Sequence, residues 1–230
     1  MGLFDKKQPA TQEPIEEEGA TAEIANAIIG KLMDVGIDGF GPLDSVEEVV
    51  RDATQEHPNP EKAISEIAKS HLKLSAAGGF ITGAGGLLTM GVALPANIIE
   101  FYVLATRMVA SIATIRGYDL SRPEVRSAVM LTLVGADSDD LLRKAGVTGA
   151  NRLSQVAIQR LPKTAVMVIN KGVGFRLATQ LGAKTLGRLG RAVPVAGGFV
   201  GAGLDGYLMS RIAKHAREEF PPRDQAALPA

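Results

Sequence analysis

The amino-acid sequence predicts an all-α protein built as a single compact helical domain. Apolar residues recur at helical spacing along most of the chain, and the alternating, β-branched patterns typical of strands are scarce. The composition includes 26 glycines but only 4% aromatic residues and no Trp. A core with so few aromatic side chains needs Ala, Val, Leu and Ile on helices whose backbones lie close together. With 230 residues, 46% of them hydrophobic, the chain can bury such a core in one domain.

The chain divides into three predicted parts. Residues 1–20 form an acidic lead-in that we expect to be disordered, without the apolar segment of a secretory signal. Residues 21–220 form the helical domain, with a glycine-rich, closely packed helical hairpin inside it. Residues 221–230 form a flexible tail. The sequence contains no Cys, which excludes disulfides and thiolate sites and is typical of a cytoplasmic protein.

The N-terminal helices are marked by their start and stop signals. The stretch TAEIANAIIGKLMDVGIDG predicts a helix that ends at Gly36 or Gly39. LDSVEEVVRDAT predicts a second helix. NPEKAISEIAKSHLKLS predicts a third, opened by Asn59 with Pro60 at the first helical position.

The next predicted helix begins near Pro95 and ends near Gly117. It is amphipathic, with Ile98, Phe101, Tyr102, Ala105, Met108, Val109 and Ile112 on one side and Asn97, Glu100, Arg107, Ser111 and Thr114 on the other. Further helices are expected over 123–134, 138–146, 152–160, 163–188 and 195–219.

Residues 78–98, GGFITGAGGLLTMGVALPANI, lie within an uncharged run from Leu74 to Ile99. The run is long enough for a membrane span, but its glycines and Pro95 disfavour one continuous helix. We therefore favour a buried helical hairpin over a membrane-inserted one. The glycines expected to allow close helix contact are Gly79, Gly83, Gly85, Gly86, Gly197 and Gly201. Phe80, Leu87 and Leu88 are candidate membrane or partner contacts.

Nucleotide binding is not supported by the glycine motifs. TGAGGLLTM lacks the lysine of a phosphate-binding loop and a preceding strand. Gly201, Gly203 and Gly206 match dinucleotide spacing, but they lie in a predicted helix with too little chain after them for the rest of such a fold.

Charge is strongly segregated, although the net charge is zero. Residues 1–70 carry fifteen acidic and six basic residues, whereas residues 141–204 carry ten basic residues and no acidic one. The basic segment could pair with the acidic helices or bind an anionic membrane surface; nucleic acid fits less well because only one aromatic, Phe175, lies within 143–191, the stretch that carries the ten charges. Lys184, Arg188 and Arg191 share one helical side and are the candidate membrane-binding residues.

The sequence offers little for catalysis. His57, His71 and His215 show no metal-ligand spacing, and there is no GxSxG nucleophile motif. We predict no metal and no cofactor. Glu100 and Asp205 are acids on largely apolar helices, where a carboxylate either pairs with Arg or Lys or gains a raised pKa. Pairing of Glu100 with Arg107, Arg116 or a basic residue of 184–191 is the favoured interpretation.

Several motifs resemble the EcsC family of bacterial proteins over roughly residues 60–220. They are Thr82-Gly83-x-Gly85-Gly86, Leu94-Pro95-Ala96, Arg116-Gly117-Tyr118, Arg191-x-x-Pro194-x-x-Gly197 and His215-Ala216. The resemblance implies a helical protein near the inner membrane and supplies no catalytic residues. Val92-Ala93 replaces an acidic residue common before this Leu-Pro, which argues against an active site there.

The sequence thus predicts a non-enzymatic, membrane-proximal accessory protein that binds lipid or a membrane protein. Its expected location is cytoplasmic, with peripheral attachment at the inner membrane. The alternative is a hydrolase-like enzyme with a site near Glu100 and Asp205. Homo-oligomerisation stays open.

Overall fold

In the computed structural model, the described part of the chain comprises residues 27, 29–77, 96–135, 138–148, 153–158, 160–189 and 196–223. Side chains are described in α8 as far as Leu177 and in α9 from Asp205 onward. The described part is helical, as predicted, and its one β-type pairing is an isolated bridge between Phe40 and Leu43. The helices are α1 (29–38), α2 (Val46–Glu56), α3 (Pro60–Ala77), α4 (Ala96–Ile115), α5 (Pro123–Val134), α6 (Ser138–Lys144), α7 (Leu153–Ile158), α8 (Lys163–Leu189) and α9 (Ala196–Glu219).

The helix boundaries follow the predicted signals closely. Ser45 and Glu48 form a capping box at the start of α2. At α3, the Asn59 side-chain oxygen accepts hydrogen bonds from the backbone N–H groups of Glu61 and Lys62, at 2.9 and 3.2 Å. α1 ends before Gly39, which has φ +80° and leaves no room for a Cβ beside the Leu43 carbonyl. Local capping chemistry therefore sets these ends.

α4 and α5 occupy the centre of the molecule. α4 packs against α2, α3, α5 and α9, and α5 packs against α7 and α8 as well. All residues from Glu100 to Ala113 are buried, as are nearly all of α5. Gly36 of α1 lies so close to α4 that an added Cβ would stand 2.9 Å from the Thr106 side chain. Close glycine contact thus occurs at Gly36, which the sequence pattern indicated only as a possible helix end.

The burial of α4 from Glu100 to Ala113 changes the interpretation of its polar side. The apolar and polar sides of the predicted amphipathic helix are both present, but the described polar side does not face solvent. Glu100 and Arg107 are each 4% exposed and Ser111 is fully buried, while Thr114 is half-buried. The periodicity grouped these residues correctly and could not show that α2 and α3 cover them.

Candidate functional site

The best-defined polar cluster centres on His71 of α3 and Arg107 of α4. Arg107 Nε donates a hydrogen bond to His71 Nε2 at 3.0 Å, and Nδ1 of the same ring lies 2.8 Å from the Ile67 carbonyl. Nε2 therefore accepts and Nδ1–H donates, which fixes the neutral tautomer. Burial, together with the nearby Arg107 charge, lowers the pKa of His71 from 6.5 to about 3.

Arg107 also joins a third part of the chain to this cluster. One of its terminal nitrogens donates to the Asp44 carbonyl at 3.1 Å, just before α2. Burial lowers the pKa of Arg107, and the Asp44 charge opposes that shift. The guanidinium thus connects α3, α4 and the residue Asp44 just before α2, and its removal would leave the buried His71 Nε2 without a donor and break the bond to the Asp44 carbonyl.

This geometry suits a structural role better than proton transfer. The His71 lone pair that a general base would use is already occupied by Arg107. Glu100 and Asp205 both have interaction partners, Glu100 being buried and Asp205 half-buried. The described residues contain no group of three or more His, Cys, Asp or Glu side chains that could hold a metal.

A second cluster lies where α4 turns into α5. The buried guanidinium of Arg116 contacts the Glu61 carboxylate at 2.7 Å. The Tyr118 ring packs edge-on against Phe220 with centroids 5.1 Å apart, and its hydroxyl donates to the Pro221 carbonyl at 3.2 Å. The contacts of Tyr118 tie the segment 220–223 to the α4–α5 turn. We call these Tyr118 contacts the C-terminal clasp.

α8 differs from the central helices because one side of it is exposed and apolar. Met167 is 63% exposed, Phe175 50% and Val168 41%, and the exposed Thr164 and Lys171 share that side. Ala165, Ile169, Val173 and Leu177 face the core. We call Thr164, Met167, Val168, Lys171 and Phe175 the α8 exposed face.

Other exposed aromatic rings in the described part are covered by cations. Lys31 lies over the Phe40 ring at 5.8 Å, and the Arg211 guanidinium lies over the Tyr207 ring at 6.0 Å. The α8 exposed face shows no such cation–π contact among the described residues. Met167, Val168 and Phe175 on this face are 41–63% exposed.

The comparison with protein families decides the classification. The EcsC protein family matches residues 20–223. The chain belongs to the EcsC family. No curated protein and no solved structure matches it.

Two motifs of the EcsC resemblance fall in the described part. Arg116, Gly117 and Tyr118 form the turn that the C-terminal clasp holds, with the Arg116 carbonyl accepting from the Arg223 N–H at 3.0 Å. His215 and Ala216 lie in α9, where Ala216 is fully buried. Both motifs thus occupy packing positions in this EcsC chain.

The sequence-predicted contact residues fall largely outside the described part. Those wholly outside it are Phe80, Leu87, Leu88, Gly79, Gly83, Gly85, Gly86 and Arg191. Lys184 and Arg188 belong to the α8 backbone and Gly197 and Gly201 to that of α9, but their side-chain surroundings are not described. The α8 exposed face was missed, although Met167, Lys171 and Phe175 recur every four residues.

Two described ion pairs of the basic segment are made with one acidic residue, Asp140 of α6. Arg176 and Lys144 both contact the Asp140 carboxylate, at 2.6 and 3.1 Å. The hydrogen bond from Lys144 is the main cause that lowers the pKa of Asp140. The acidic partner in these two ion pairs is Asp140, which lies outside residues 1–70.

A membrane span was the remaining alternative for the glycine-rich segment, most of which is not described. Among the helices that are described, none is long and apolar enough to cross a bilayer.

Proposed function

We propose that this EcsC protein is a non-enzymatic, membrane-proximal accessory protein that attaches peripherally to anionic lipid through the α8 exposed face. The observation that carries the proposal is the coincidence of Met167, Val168 and Phe175 with Lys171 on one exposed helix side. Helices that lie in a membrane interface combine apolar side chains with Lys or Arg in this way.

The charge around the α8 exposed face also favours anionic lipid as the partner. Arg160, Lys163 and Lys171 are exposed, and every charged residue from 141 to 204 is basic. Each Lys or Arg near an anionic surface contributes about 1 kcal/mol, and burial of the exposed parts of Met167 and Phe175 adds about 1–2 kcal/mol each. The sum corresponds to reversible attachment.

Vesicle flotation tests the proposal. Wild-type protein should float with phosphatidylglycerol-rich vesicles at low salt, and less at high salt because exposed charges are screened beyond about 10 Å. Met167→Ser with Phe175→Ser, and Lys163→Gln with Lys171→Gln, should each reduce flotation. Phe40→Ser and Lys62→Gln are matched controls and should float like wild type. Absence of wild-type flotation at low salt would refute the proposal.

The residues predicted from sequence can be tested in the same assay. A Lys184→Gln, Arg188→Gln, Arg191→Gln variant should float less than wild type if the whole basic segment contributes. The Phe80, Leu87 and Leu88 contacts of the glycine-rich segment are proposed on sequence grounds alone. Their replacement by Ser reports on that segment separately from α8.

The alternative remains a hydrolase-like enzyme with a site near Glu100 and Asp205. The burial of the Glu100 carboxylate, 4% exposed, is the observation in its favour. Glu100→Gln distinguishes the two functions. We expect lower stability with vesicle binding retained; a fully stable variant that has lost function would favour the enzyme.

A further inference from the structure

An open groove of about 720 Å³ lies between the α1–α2 region and the α4–α5 turn. Ile37, Val50 and Leu120 supply apolar surface, while Asp38, Glu47 and Asp119 supply carboxylates. None of the α8 residues whose side chains are described lines it. Its volume lies within the range of roughly 300–1,000 Å³ typical of ligand sites, which suits a few side chains and not a folded domain.

The described lining of the groove carries three carboxylates, those of Asp38, Glu47 and Asp119, and one guanidinium, that of Arg51; Arg122 adds a positive charge near Asp119. Asp38, Glu47 and Asp119 are all exposed, and Asp38 follows Asp34 by one turn at the carboxyl end of α1. Two acids there repel each other and the negative end of the helix dipole. Asp119 accepts from the Ser121 side chain and N–H, which lowers the pKa of its carboxyl. Arg51 is the basic side chain in the lining, and its Nε already donates to Asp52 at 2.9 Å.

Both walls of the groove are held by contacts with the rest of the protein. On one side, Phe40 and Leu43 form a backbone bridge, and Ser45 caps α2 together with Glu48. On the other side, the C-terminal clasp fixes Tyr118. A ligand would therefore find a preformed surface and lose little free energy to ordering it.

We propose that this groove binds a Lys- or Arg-bearing segment of a partner protein, with apolar side chains against Ile37, Val50 and Leu120 and cations against the three carboxylates. The sign of the charge excludes the anionic lipid proposed for α8. The absence of a metal-binding group of three or more ligands among the described residues disfavours a metal ion as occupant. This inference does not depend on the membrane function.

Fluorescence anisotropy without lipid tests it, using a labelled peptide in which Lys and Leu alternate with Ser. Wild-type protein should bind this peptide, and should bind poorly to versions with Glu in place of Lys or Ser in place of Leu. The Asp38→Asn, Glu47→Gln, Asp119→Asn variant should weaken binding about tenfold, because three exposed ion pairs are lost.

A charge-matched control uses Glu66→Gln, Asp139→Asn and Glu218→Gln, which are exposed positions outside the groove. It should change binding less than about twofold. Both triple variants should keep the wild-type melting temperature. Equal loss in the two, or no binding by wild type, would overturn the proposal. The Lys163→Gln, Lys171→Gln variant should bind the peptide normally, which separates this result from the lipid assay.

Discussion

α4 and α8 reverse the usual relation between side-chain polarity and solvent. α4 buries a glutamate, an arginine and a serine on its polar side, whereas α8 exposes Met167 and Phe175. The neighbours account for the difference. α2 and α3 both pack against α4, and His71 of α3 and the Asp44 carbonyl just before α2 supply acceptors for Arg107, while α8 packs against α5 and α6 through its other side.

The periodicity of a helix and the burial of its sides are separate properties. A hydrophobic pattern tells which residues share a helix side. It does not tell which sides other elements cover. The buried polar side of α4 is expected to contribute to stability, and the open apolar side of α8 to binding. Four predictions follow this contrast in order of expected effect.

The largest effect should come from Arg107→Ala. The free energy of unfolding should fall by about 2–4 kcal/mol, because the buried His71 acceptor loses its donor, the bond to the Asp44 carbonyl is lost and a cavity remains. Lys171→Ala removes a charge from α8 instead and should stay within about 0.5 kcal/mol. Urea unfolding of both variants measures the difference. Similar losses in the two would contradict the contrast between the helices.

His71 should make stability depend on pH. Its pKa in the folded protein, about 3, lies below its ordinary value of 6.5. Between these values the unfolded chain binds a proton that the folded chain does not, so stability falls as pH falls through this window. Its contribution from pH 7 to 5 is a loss of about 2 kcal/mol.

His71→Gln, which retains an acceptor for Arg107, should lose less stability over this range than wild type. His57→Gln is the control in a half-exposed loop and should keep the wild-type pH dependence. Urea unfolding at pH 7 and at pH 5 measures the change in the free energy of unfolding for each protein. An unchanged pH dependence in His71→Gln would show that the buried imidazole is not its source.

Gly36→Ala tests how closely α1 approaches α4. The added Cβ meets the branched, buried Thr106 at 2.9 Å, and the expected loss is about 1–2 kcal/mol. Gly206→Ala in α9 meets nothing within 4 Å, and it should gain about 0.5–1 kcal/mol from helix propensity. Thermal melts should therefore move in opposite directions. A stabilised Gly36→Ala protein would show that α1 and α4 can separate at little cost.

The smallest effect on stability should come from the α8 exposed face. Phe175→Ser should change the free energy of unfolding by no more than about 0.5–1 kcal/mol, since half of the ring is already in water. A loss above about 2 kcal/mol by chemical unfolding would mean that the ring is a core residue. The contrast between an exposed side of α8 and a buried side of α4 would then not hold at Phe175.

Much of the fold could be predicted from local signals. α5 begins at Pro123 and ends at Val134 as expected, and Asn59 caps α3. The family also followed from short motifs such as Arg116-Gly117-Tyr118. These features depend on residues close together in the chain, so one sequence contains the information.

The site could be predicted only in part. The sequence predicts Arg107, Arg116 or a basic residue of 184–191 as the partner of Glu100, and Glu100 does have an interaction partner. The described contacts of Arg107 are with His71 and the Asp44 carbonyl, 36 and 63 residues away in the chain. Arg116 contacts Glu61. Such pairings depend on how helices pack, which local periodicity does not determine. The exposure of Met167 could not be predicted from the sequence for the same reason, because an apolar residue on a long helix is usually buried.

The C-terminal clasp also sets the order in which the protein can be completed during synthesis. Tyr118 and Pro221 are 103 residues apart in the chain, yet their contact fixes one wall of the groove. A ribosome releases α1, α2 and the α4–α5 turn long before it releases Pro221 and Arg223. The nascent chain therefore carries the groove residues without their final support, and the surface proposed to bind a partner is complete only after this distant contact has formed.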